Sequence, residues 1–134
     1  MERIVLRTPG GSRLRVAVAT TPRERTRGLL GRDRLAPDHA LLIPGARSIH
    51  TVGMRFPILA AWLDDGGVVV RTRELAPGRI AWSAPGARHV LECAPSVELP
   101  DGSALDAVEG VAPWSDRHAT AGYGNSSSTS PRTQ

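Results

Sequence analysis

Between Ser48 and Ile58 the chain brings together an imidazole (His50), a hydroxyl (Thr51), a thioether (Met54) and a guanidinium (Arg55), just ahead of the apolar run Ile58–Leu63. A segment that only filled a core would be more uniformly apolar, and a plain loop would carry less hydrophobic mass. Some of these polar groups are therefore expected to have a partner. Further along, Glu92 follows Val90-Leu91 on an apolar strand, where an unpaired carboxylate would be costly. Arg55, Arg32 or Arg27 could each offer it a bidentate partner, so a paired Glu92 is expected. The candidate ligand- or partner-binding residues are thus His50, Thr51, Met54, Arg55, Glu92 and Arg32.

Stronger chemistry can be written but is not enforced by the spacing. His50, Met54, His89, Glu92 and Cys93 include enough ligand types for a transition-metal site, yet the sequence holds no Cys-x-x-Cys, no His-Glu-x-x-His and no acidic cluster. The preferred reading keeps Met54 and Cys93 as core and gives His50 and His89 structural hydrogen bonds, with no metal. Cys93 as a nucleophile, with His50 or His89 as base, lacks the cationic setting or helix N-terminus that lowers a thiol pKa. The glycines match neither phosphate-binding pattern, and a chain without lysine cannot build the usual phosphate loop. No catalytic residue and no cofactor is assigned.

The elements that must position these residues are legible as short strands. Ile4–Arg7 and Arg13–Ala19 flank Pro9-Gly10-Gly11-Ser12 as a β-hairpin with one wet face. Thr21-Pro22-Arg23-Glu24 offers a capping residue, a proline suited to the first helical position and a glutamate that completes a capping box, which predicts a short helix from Pro22 to about Leu30. Its arginines are expected to form a solvated face. Ala40–Ile43 reads as a buried strand. Ile58–Leu63 meets Val68–Arg71 across Asp64-Asp65-Gly66-Gly67, residues that tolerate a tight turn. Ile80–Trp82, Arg88–Cys93 and Val97–Leu99 are further strands, and 104–108 is either a last strand or a helical turn. Trp62 and Trp82 are expected in or beside the core. The fold class is mostly β (α+β): a compact single-domain β-barrel or rolled antiparallel sheet with one short helix. Residues 1–111 form the domain, and 112–134, small and polar, a disordered tail.

With 134 residues the chain is one domain in length. Its longest apolar run is far short of the ~20 residues a membrane helix needs, and the single cysteine forms no internal disulfide, so a soluble, cytoplasmic protein without a membrane span is expected. The formal net charge is +4, but all 17 basic residues are arginine, a bias that a GC-rich genome explains more simply than phosphate binding. Without aromatic residues interleaved for base stacking, nucleic acid is not the expected partner. The expected partner is a small ligand or a protein.

Three blocks in order carry a resemblance to a known family. Val16–Thr21 with Glu24-Arg25-Thr26-Arg27-Gly28-Leu29-Leu30-Gly31-Arg32, then Ser48–Ile58, then Val90-Leu91-Glu92 resemble the blocks of domain of unknown function 192. The resemblance spans about residues 3–110 and implies a small, mostly β fold without an established activity. Family members commonly follow the central Pro-Ile or Pro-Leu with Asp, where this chain has Leu59. If that Asp holds a ligand in relatives, the resemblance implies that an anionic group is lost here. The expected function is a non-enzymatic ligand- or protein-binding module. The alternative is an enzyme or metal-dependent protein using His50 and its neighbours in the same pocket.

Overall fold

The computed structural model describes residues 1–115. Nine strands and one helix follow in the order β1 (Glu2–Arg7), β2 (Arg13–Val18), α1 (Pro22–Arg27), β3 (His39–Pro44), β4 (Ser48–His50), β5 (Ile58–Leu63), β6 (Val69–Leu75), β7 (Ile80–Trp82), β8 (His89–Cys93) and β9 (Asp106–Glu109). Seven of the strands make one sheet in the order β6-β5-β8-β3-β2-β1-β9, and β4 pairs with β7 in a separate ribbon. The mostly β class is as expected. The strand order ends in β6 and β9 and no closed barrel is formed among the described residues, although an isolated antiparallel bridge joins Val68, just ahead of β6, to Ala104, just ahead of β9. Nor is the sheet wholly antiparallel, because β2 and β3 are parallel. The reason is the chain between them: residues 19–38, with α1, form a crossover that returns the strand to the same end, as parallel pairing requires.

Strand alternation divides the core into two layers. Ile4, Leu6, Val16, Leu42, Ala61, Leu63, Leu91 and Cys93 point to one face, where Leu99, Leu105 and Trp114 cover them. Ala17, Leu41, Ile43, Ile58, Ala60, Trp62 and Val90 point to the other, under Leu29, Ile49, Met54 and Ala81. The first layer carries the chain past its expected end. Trp114 is 2% exposed and its indole N–H donates to the Leu105 carbonyl at 3.1 Å. Ala112 is buried as well. The packed chain therefore runs on through Trp114 where a tail was expected from residue 112, because a large indole recovers more by burial than a small polar stretch would suggest. The rest of that expected tail lies outside the described residues.

Local chemistry explains most boundaries. Thr21 Oγ1 accepts from the Glu24 N–H at 3.1 Å while the Glu24 carboxylate accepts from the Thr21 N–H at 3.2 Å, the capping box in full. The helix stops at Arg27, earlier than expected. Gly28 takes a positive φ of 48° and its N–H bonds the Glu24 carbonyl, which turns Leu29 down into the core. In the turn between β5 and β6, Asp64 Oδ1 accepts from the Gly66 and Val68 N–H groups at 2.8 and 2.9 Å. Gly67 must lack a side chain, since a Cβ there would sit 2.5 Å from the Trp114 ring. Val97–Leu99 forms no strand, although Leu99 is buried. Trp82 is 69% exposed, because β7 leaves the main sheet to pair with β4 and directs Ala81 inward instead.

Candidate functional site

Glu92 lies on β8, between β3 and β5 in the sheet, with Leu41 and Ala60 as its cross-strand neighbours. Its parity is that of Val90, so it faces the second core layer, and it is only 4% exposed. The expected ion pair is not there: among the described residues no cation lies in salt-bridge contact with Glu92, and no side-chain hydrogen bond involves it. Burial without a compensating charge pushes its pKa up to about 7. Of the three arginines expected to pair with it, Arg55 bonds Asp33 on the exposed surface. Arg32 is exposed and lines a separate groove, with Glu24 and Gly31.

What Glu92 faces instead is a cavity of about 160 Å³. The cavity lies between the sheet and the covering elements. α1 and the turn after it supply Arg25, Arg27, Leu29 and Leu30. The end of β3 supplies Ile43, and β4 supplies Ser48, Ile49 and His50, with Met54 beyond. The walls are mostly apolar. At the rim Arg25 donates to the Pro44 carbonyl, whereas the Arg27 and His50 side chains have no hydrogen-bond or ionic partner among the described residues. The site therefore combines an apolar body, a buried carboxyl group and a cationic rim. A ligand can be held here by burial of carbon and by hydrogen bonds to a desolvated acid, both of which gain from exclusion of water.

The six candidate residues separate into two groups. His50, Met54 and Glu92 meet in the cavity; Thr51, Arg55 and Arg32 do not. Thr51 is 0% exposed and structural: its hydroxyl donates to the Ala76 carbonyl at 2.6 Å and accepts from the Arg79 N–H at 2.8 Å, clamping the turn ahead of β7. Sequence reasoning missed Arg25 and Leu29 and offered Arg27 only as a possible partner of Glu92; the helix arginines are exposed, as a solvated face would be, yet Arg25 and Arg27 also line the cavity. The signal was Gly28, whose positive φ bends the chain over the sheet and brings both sides of the turn to the cavity.

The sheet also separates the other chemistries. His89 and Cys93 belong to the opposite face from Glu92, so the set His50, Met54, His89, Glu92 and Cys93 cannot surround one ion, and no metal-ligating cluster occurs among the described residues. Cys93 is fully buried, with its thiol pKa pushed up to about 12 by burial and by Glu92. It is a neutral core thiol. His89 shares its face but lies ~13 Å away along the strand. Its Nδ1 accepts from the Gly45 N–H at 3.3 Å, its Nε2 is buried without a partner, and desolvation lowers its pKa. Leu59 also points away from the cavity, packing against the Trp114 layer. Its replacement of the common Asp therefore removes no group from the Glu92 site.

These features define a small β-rich domain with a seven-stranded sheet, a two-stranded ribbon and a mostly apolar cavity beneath its short helix. The chain belongs to domain of unknown function 192, described as Uncharacterized ACR, whose model matches residues 4–120. No curated protein matches. Among solved structures, the chain is similar to a protein of Sinorhizobium meliloti 1021 whose name places it only provisionally among transcription regulators, at 28% identity and a TM-score of 0.68 over 79% of this chain and 92% of that one. It is also similar in fold to a protein of unknown function from Novosphingobium aromaticivorans DSM 12444, at 16% identity and a TM-score of 0.67 over 78% of this chain and 83% of that one.

Proposed function

We propose that this protein is a non-enzymatic binding module that takes a small ligand into the cavity between α1 and the sheet. One observation carries the reading: Glu92 is buried, lacks a partner within the described residues and lines a space that a ligand can enter. A carboxyl group held in this way costs stability, and a fold that needed only packing would place an apolar side chain between Leu41 and Ala60. The volume favours a small molecule over a protein segment, since about 150 Å³ accommodates benzene. The regulator label on the Sinorhizobium meliloti protein is compatible with a ligand-sensing module. The lone buried Cys93 accords with a cytoplasmic setting.

The test uses a neutral probe, butan-1-ol, titrated into methyl-labelled protein and followed by NMR. Shifts concentrated on Leu29, Ile49 and Met54 are expected. Shifts confined to Ile80 on the exposed ribbon, or no saturable shifts, would refute the cavity as the binding site.

A further inference from the structure

The cavity's lining joins a buried carboxyl group on the sheet, Glu92, to the exposed guanidinium groups of Arg25 and Arg27 on the helix side, with the buried Leu29, Ile49 and Met54 also in the lining. Resting on the reading just given, we propose that the ligand is a small zwitterion of the ω-amino acid kind: its ammonium group enters first and pairs with Glu92, and its carboxylate stays outside against Arg27.

A simple amine would satisfy Glu92 but would share the cavity with two guanidinium groups, with nothing to offset their repulsion. A simple carboxylate would gain the rim but would leave Glu92 without a charge partner and place a second acid near it. A ligand with both groups at opposite ends meets each site with the complementary charge. Its carbon chain then lies along the apolar walls, where burial adds to the binding. Between the two rim arginines, Arg25 already donates to the Pro44 carbonyl, which fixes it to the end of β3. Arg27 has no such commitment among the described residues and is the group able to form a paired contact with an incoming carboxylate. The cavity volume of about 160 Å³ is close to that which takes benzene and suits a chain of a few methylene groups.

Isothermal titration of the full chain with 4-aminobutyrate, butylamine and butyrate tests the proposal. 4-Aminobutyrate is expected to bind about tenfold or more tightly than either single-ended probe, because each end adds a charge-assisted contact. Glu92→Gln is expected to remove its advantage over butyrate, and Arg27→Gln its advantage over butylamine. Thermal melts of both variants establish that they fold. Butyrate binding as tightly as 4-aminobutyrate, or a preference that survives both substitutions, would overturn the assignment. If butan-1-ol occupies the cavity while 4-aminobutyrate does not bind, the zwitterion is refuted and the binding module stands. If neither binds, both fail.

Discussion

On the face of the sheet that carries Leu91 and Cys93, the last part of the described chain closes over the strands, and Trp114 fills the remaining space down to Gly67. On the face that carries Val90 and Glu92, the cover is a six-residue helix, a glycine-bent turn and a two-stranded ribbon, and a cavity remains. The same strands build both faces, so the difference lies in what is laid over them. A long chain segment ending in an indole can adapt to the sheet and exclude water; short rigid elements meet it at a few points. One face is thus packed through, and the other leaves a buried acid facing a cavity.

The comparison is broken most directly by removing the indole. Trp114→Ala is expected to lower the unfolding free energy by about 3–5 kcal/mol, measured by urea denaturation, from lost burial, the cavity left and the hydrogen bond to Leu105. A loss below ~1 kcal/mol would mean that the segment is not part of the core. Next in size is the pH dependence caused by Glu92. Its folded pKa, near 7, is raised above its ordinary value of 4.5, so in the interval between them the folded state binds more protons than the unfolded one. Stability is then fully present below about pH 4.5, falls as pH rises through about 7 and is flat beyond, a change on the order of 3 kcal/mol. The charged or titratable groups lining the cavity around it are Arg25 and Arg27 from the helix and His50 from β4. Glu92→Gln should flatten that slope and leave the protein more stable at pH 8. A slope that persists unchanged in the variant would show that another group produces it.

How much of this could be read in the sequence differs between the two faces as well. The strands around Ile58–Leu63 and His89–Cys93 were legible because alternation and turn residues are local signals. The capping box of α1 was legible for the same reason. The burial of Trp114 was not, since an isolated tryptophan among small residues gives no local indication of the non-local contact with Gly67. At the site, the buried position of Glu92 followed from its strand, but its lack of a partner did not. Arg27, Arg32 and Arg55 are equivalent in sequence, and only the bend at Gly28 and the exposed contact with Asp33 decide where each one goes. Parity along β8 separates Cys93 from Glu92, an argument available from sequence once the strand is accepted.

Thr51 sharpens the comparison at intermediate size, because it stands beside the cavity residues in sequence but acts only on the cover. Thr51→Val keeps the volume and removes the hydroxyl, leaving the Ala76 carbonyl and the Arg79 N–H without that partner. A loss of about 2 kcal/mol is expected in the same denaturation experiment. The ratio of binding of 4-aminobutyrate to butylamine should be unchanged if the hydroxyl only holds the ribbon in place.

The smallest effect is expected at Arg55, and it is the most discriminating for the extent of the site. Its guanidinium contacts Asp33, but the two side chains are 63% and 84% exposed, so the pair is strongly screened and contributes under ~1 kcal/mol. Arg55→Ala should leave both the urea midpoint and butan-1-ol binding within experimental error of the parent. Arg55 belongs to the most chemically mixed stretch of the sequence, and yet its side chain is held away from the cavity that Met54, the adjacent residue, helps to line. A marked loss of ligand binding in Arg55→Ala with stability intact would extend the site over the rim to the Asp33 side. The cavity beneath α1 would then be only its inner part, and the division between a packed face and a receptive face would have to include the surface beyond the helix.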